Sequence, residues 1–264
     1  MFKKSISAAL LTWWQVLTRQ RQRSVPDALW LSTLANYPFL AQRSNAELAR
    51  LRELTGQFLA QKQFSGAHRF QVTDEIAVAI AAQACLPVLN RGLAPYSDFK
   101  GIVVHQGPML ARRQTVDAAG VHHFYKEALA GEAMQGGPVT LSWQDAAASS
   151  NHDLRGYNVV IHEFVHKLDM AGGTANGCPP LPSRAAKAQW QTTMQTAFDA
   201  FKDQVEMAKR FGAPAPWLDA YGATSPAEFF AVASEAYFVN PHRFADDFAE
   251  VSGLFNAYFN KKQH

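Results

Sequence analysis

Apolar positions recur at helical spacing through much of the chain. Leu48, Leu51, Leu54 and Phe58 share one face of a segment that Ser44-Asn45-Ala46-Glu47 opens as a capping box, so a helix is predicted through about Gln61. Thr73 is placed to cap a second helix, Asp74 to Leu86, which Pro87 stops. Ile102-Val103-Val104-His105 is a β-branched run between Gly101 and Gly107-Pro108, which predicts a strand. From Met109 to Met134 the pattern weakens to short strands with loops. His122 and His123, adjacent on such a strand, would point to opposite faces and make poor co-ligands. Gly136-Gly137-Pro138 opens an alternating strand, Val139 to Trp143. A buried helix is predicted from about Asp153 to Met170, ended by Gly172-Gly173, with a Gly- and Pro-rich loop to Pro182. Ser183 to Phe211 reads as a long helix whose stripe of Trp190, Met194, Phe198, Phe201 and Val205 is core rather than a cofactor box. Ser225 as N-cap and Pro226 at the first helical position begin another. The pattern is that of a mainly helical α+β domain with a small mixed sheet.

Composition narrows the class. The chain has 264 residues, 48% of them hydrophobic, enough for one large core. We expect one domain over 25–264, with a helical N-terminal part, preceded by a separate amphipathic segment, 1–24. In that segment Lys3 and Lys4 precede an apolar stretch, Ile6 to Val16, interrupted by Ser7, Thr12 and Gln15 and followed by Arg19, Arg21 and Arg23. It lacks the small-residue cleavage site of a signal peptide and is too short to span a bilayer. A docking helix is favoured over one resting on a membrane surface. The formal charge of +3 is spread along the chain, so direct nucleic-acid binding is not indicated. Cys85 and Cys178, one in an apolar helix and one in a loop, do not make a disulfide framework; a reducing, cytoplasmic setting is expected.

The chemistry is concentrated in Val159-Val160-Ile161-His162-Glu163-Phe164-Val165-His166, which contains H-E-x-x-H. Residues four apart lie on one face of a helix, so His162 and His166 can offer two imidazoles to one ion. Glu163 lies within reach of a water on that ion. A solvated surface helix with two histidines is the plainer reading. The apolar residues around the motif argue against it, because they bury these polar groups, and buried polar groups need partners. One Zn²⁺ per chain supplies them, with a position left for water. The strand before this helix, Val139 to Trp143, can then border a cleft where a peptide adds as a further strand, although an ordinary internal strand reads the same way.

Zinc peptidases take three protein ligands. Asp169, seven residues after His162, shares its face, but three ligands on one straight helix converge poorly, so a supporting role is expected. Asp169 and Gly172 also exclude the metzincin pattern. Glu228 and Glu235, two turns apart on the helix opened by Ser225, are the rival third ligands. Glu228 at the third helical position could equally be the partner of Ser225 in a capping box, and spacing does not separate these readings.

His162 to Asp169, taken with Tyr221-Gly222-Ala223-Thr224-Ser225-Pro226-Ala227-Glu228, resembles the Mlc titration factor A family of zinc peptidases. The strand from Gly137 to Trp143 and the approach Arg155-Gly156-Tyr157-Asn158 are similar too. The likeness runs from about Leu34 to the C-terminus and leaves roughly the first thirty residues unmatched. It implies a gluzincin-type domain similar to the catalytic domain of anthrax lethal factor, with Glu228 as third metal ligand and Tyr221 as an active-site tyrosine. It implies aminopeptidase activity on peptide substrates, with Glu163 as general base. It also implies a possible protein partner, an Mlc-like repressor. The alternative is a regulatory binding module that titrates a repressor with little peptidase activity.

Overall fold

The computed structural model describes residues 24–116, 122–148 and 156–260, and of 110–116 and 122–129 the backbone alone. The amphipathic segment expected over 1–24, apart from Ser24, the orientation of His122 and His123, and Arg155 therefore lie outside it. Along the chain run α1 (Asp27–Asn36), α2 (Pro38–Ala41), α3 (Asn45–Gln61), β1 (Gln63–Gly66), α4 (Asp74–Cys85), β2 (Gly101–His105), β3 (Met109–Val116), β4 (His122–Leu129), β5 (Gly131–Ala133), β6 (Val139–Ser142), α5 (Trp143–Ala148), α6 (Val159–Met170), α7 (Arg184–Phe211), α8 (Pro226–Val239), α9 (Pro241–Asp247) and α10 (Ala249–Phe259). The domain is mainly helical with a small mixed sheet, as the pattern predicted.

Local signals explain most boundaries. The Ser44–Glu47 capping box opens α3, and Thr73 accepts from the Ile76 N–H to open α4. Pro87 converts the end of α4 into a single 3₁₀ turn. Helix α1 has no side-chain cap, which is why the sequence did not announce it. Among the described residues the Met109–Met134 region holds three strands: β3 and β4, eight residues each and paired antiparallel as their own ribbon, and the three-residue β5.

Two boundaries correct the sequence reading. Trp143 is not in a strand; β6 ends at Ser142 and Trp143 opens α5. Helix α6 starts at Val159, not near Asp153. The Asn158 side chain accepts from the Ile161 N–H at 2.9 Å. Two residues earlier Gly156 has φ +67°, and a Cβ there would meet Trp217 at 2.9 Å and the Ala236 backbone at 3.1 Å. That left-handed, crowded position cannot belong to the helix.

The sheet order is β1-β2-β6-β5, with β1, β2 and β6 parallel and β5 antiparallel to β6. Strand β6 is therefore internal, and the edge toward the cleft is β5. A parallel β2–β6 pair needs a crossover, and the β3–β4 ribbon and β5 fill it.

Helix α6 packs between the β5–β6 side of the sheet and α8. Every residue from Val159 to Asp169 is buried. Phe164 packs its ring 5.6 Å from Phe58, 5.2 Å from Tyr96 and 6.0 Å from Phe99. On the far side of α8, Trp190 of α7 packs against Phe230, Phe255 and Tyr258, and the predicted stripe of α7 is buried as core. Cys85 and Cys178 are free thiols. No helix among the described residues is long and apolar enough to cross a membrane.

Candidate metal centre

His162 and His166 stand one turn apart on α6, with Nε2 atoms 3.1 Å from each other. Glu228 reaches them from the first turn of α8, its Oε2 lying 3.0 Å from His162 Nε2 and 3.2 Å from His166 Nε2. Ser225 does cap α8, accepting from the Glu228 N–H at 3.2 Å. The Glu228 carboxylate, however, is turned to the imidazoles instead of completing a capping box. The three side chains are the one group of three or more candidate metal donors that converge among the described residues. Zinc donors at 2.0–2.1 Å in a tetrahedron stand about 3.3 Å from one another, so these separations fit such an ion.

The charge balance points the same way. Glu163, Glu228 and Glu235 face two imidazoles in a buried pocket. Burial pulls His162 down, but hydrogen bonds with Glu228 and Glu235 outweigh it and hold its pKa well above the ordinary histidine value. Burial works to raise Glu228, yet hydrogen bonds from His162 and His166 bring it down to about 2. A divalent cation at the donors would do the work that a proton otherwise does.

Glu235 is placed as support. His162 Nδ1 donates to Glu235 Oε1 at 2.7 Å, and the Asn158 N–H donates to Glu235 Oε2. With Nδ1 so engaged, Nε2 is the ring nitrogen left facing Glu228 and His166. Asn158 thus caps α6 through its side chain and, through its backbone, steadies the carboxylate that orients His162. Asp169, for which a supporting role was expected, makes no hydrogen bond to either histidine. Its carboxylate accepts from the N–H groups of Asn176, Gly177 and Cys178.

Glu163 is 5% exposed. Desolvation is the largest influence on it, partly offset by His162 and His166, and its pKa is raised to about 7. It lies under β5: a Cβ on Gly131 would stand 2.5 Å from Glu163 Oε1. Tyr221 sits on a 3₁₀ turn, Ala220–Ala223, which the Asp219 side chain caps. Its ring centre is 6.2 Å from that of His162 and the residue is 40% exposed, which rules out a purely core role.

These groups share a cavity of about 610 Å³. Its wall includes Ala130, the edge strand Gly131–Ala133, Tyr157, Asp219, Tyr221, and Ala175 of the loop after α6. The sequence reading missed Gly131 and Glu132, which fall in the stretch of weak pattern, and Asp219, which belongs to no motif; Tyr157 was singled out only through the resemblance. Lys167, fully buried beside the second histidine, was missed as well. Its Nζ donates to Asp98 at 3.0 Å and to the Met134 carbonyl at 2.9 Å, tying α6 to the β5–β6 turn.

A helical domain that brings two imidazoles and a carboxylate together in a cavity beside a sheet edge has the architecture of a metallopeptidase. The profile of one such family, the glucose-regulated metallo-peptidases M90, matches residues 11–260. The chain belongs to that family, and the match begins well before Leu34, where the resemblance had been placed. Among curated relatives it is similar to Mlc titration factor A of Serratia proteamaculans (strain 568), 35% identical over 249 residues, covering 94% of this chain and 92% of that protein. It is 36% identical to the protein of the same name from Klebsiella pneumoniae (strain 342) over 220 residues, 83% of this chain and 80% of that protein.

Proposed function

We propose that this protein is a zinc-dependent aminopeptidase of gluzincin type, in which His162, His166 and Glu228 hold one Zn²⁺. The observation that carries the reading is the convergence of these three donors beside a buried glutamate in one cavity. A Zn²⁺ held there would supply Lewis acidity and lower the pKa of a neighbouring water toward neutrality. Glu163 takes a proton from water at the site and later delivers it to the leaving amine. Tyr221 donates its hydroxyl to the oxyanion that develops on the scissile carbonyl. Glu235 keeps His162 in register.

The substrate is an extended peptide lying along β5. Ala130 and Met134 bond toward β6, Ser142 N to Ala130 O at 2.7 Å and Met134 N to Pro138 O at 3.4 Å. By strand alternation Gly131 and Ala133 turn their backbone groups to the open edge. Among the described lining residues there is no Lys or Arg, while Glu132 and Asp219 are acidic. That lining favours a substrate's free α-ammonium over a free carboxylate. Two free thiols support a cytoplasmic protein.

The test is metal analysis joined to a peptide panel. About one zinc per chain is expected, lost in His162→Ala, with cleavage of free-amino peptides and not of their N-acetylated forms. Unchanged metal content in His162→Ala refutes the site.

The relatives' name supports a second activity, binding of an Mlc-like repressor protein. Pulldown of such a repressor by Glu163→Gln protein separates the two: binding retained while hydrolysis is lost makes the chain a binding module as well as an enzyme.

A further inference from the structure

We propose that Asp169 is a positioning residue for the third metal ligand, acting through the loop after α6 to set where the first turn of α8 stands. The inference rests on the reading of Glu228 as a ligand. Asp169 is 2% exposed in the last turn of α6, three residues beyond His166. Its Oδ2 accepts from the N–H of Asn176 at 2.9 Å and of Gly177 at 2.7 Å, and its Oδ1 accepts from Cys178 at 3.0 Å. Three successive amides on one carboxylate fix the loop's crest to the helix that carries both histidines.

The other side of that crest abuts α8. Gly177 has φ +78°, and a Cβ on it would stand 2.4 Å from the Pro226 carbonyl oxygen and 3.4 Å from the Ala227 nitrogen. Pro226, Ala227 and Glu228 are the first three residues of α8. From a third direction the Trp190 indole N–H donates to the Gly177 carbonyl at 2.7 Å. The loop is thus a spacer of fixed thickness between α6 and the turn that presents Glu228. A shift of a few tenths of an ångström in it moves Glu228 Oε2 relative to the two Nε2 atoms. Glu235 ties the two helices two turns further on, so the metal donors lie between two braces, one at each end of the α6–α8 contact.

The rival explanation is that direct α6–α8 packing alone places Glu228 and that Asp169 only stabilises the fold. A double-mutant cycle on zinc affinity separates them. Zinc affinity is measured by competition with a chelating dye for the full-length protein, Asp169→Asn, Glu228→Gln and the double variant. Asn keeps the size of the side chain but turns an N–H₂ toward the loop amides. Asp169→Asn is expected to weaken zinc binding about 10–100-fold in the presence of Glu228, the range for groups that orient ligands. It should change binding less than about threefold in the Glu228→Gln background. The visible spectrum of the Co²⁺-loaded protein should shift in Asp169→Asn toward that of Glu228→Gln, which loss of global stability alone would not produce. Should Asp169→Asn not fold, Gly177→Ala enters the same cycle, since its Cβ pushes directly on Pro226. Equal losses in both backgrounds, or no loss, overturn the proposal. Full zinc retention by Glu228→Gln removes the ligand reading itself, and the proposal with it.

Discussion

Replacing Glu163 by Gln in the metal-free protein should raise its stability, by an amount that grows as pH rises from about 4.5 to 7. The Glu163 carboxyl is buried under β5, and desolvation holds its pKa at about 7 against an ordinary 4.5. A raised carboxyl pKa means that the folded state keeps its proton longer than the unfolded chain. Between about pH 4.5 and 7 the folded state therefore binds more protons, and stability falls as pH rises. The protonated acid and Gln are similar in shape and both neutral, so the two proteins should differ by less than about 1 kcal/mol at pH 5. At pH 8 the wild type carries the ionised, desolvated carboxylate, and at about 1.4 kcal/mol per pH unit the variant should lead by about 3 kcal/mol. Groups remote from the site cancel in the difference. The assay is urea unfolding of chelator-treated proteins at pH 5, 6, 7 and 8, followed by tryptophan fluorescence. Zinc should shrink the gain, because a nearby cation favours the ionised carboxylate. A difference that stays constant with pH, or that grows toward acid, would refute the assignment of Glu163 as a buried group titrating near neutrality.

The other side chains of the site give separate signatures. Tyr221→Phe should keep zinc and the fold while kcat falls about 10²–10³-fold, the cost of one lost donor to an oxyanion; unchanged kcat would leave Tyr221 as a wall residue. Glu235→Gln should weaken zinc about 10–100-fold without abolishing the site, and full loss of metal would make Glu235 more than an orienting group. Gly131→Ala should retain zinc yet lower turnover, since the new Cβ would stand 2.5 Å from Glu163 Oε1 and must displace it; normal turnover with normal metal content would show that Glu163 has room to adapt.

The helices α3, α4, α7 and α8 were legible because their signals are local. A capping Ser or Thr and an apolar face at helical spacing lie within a few residues of each other. His162, Glu163 and His166 were legible for the same reason: helical periodicity brings residues four apart together whatever the rest of the chain does. Tertiary structure decided what depends on groups far apart in sequence. Glu228 and Glu235 are equivalent by pattern, and both could serve a histidine. Only the packing of α8 across α6 turns Glu228 to the two Nε2 atoms and Glu235 to His162 Nδ1. Asp169 reads as a candidate to orient a histidine, yet its carboxylate is taken by the loop of Asn176 to Cys178, a return of the chain that no periodicity announces. Strand β6 alternates like a cleft edge, but β5, three residues long and without pattern, pairs outside it and takes that place. Helix signals are written into neighbouring residues, whereas a buried charge finds its partner only when distant segments exclude the same water.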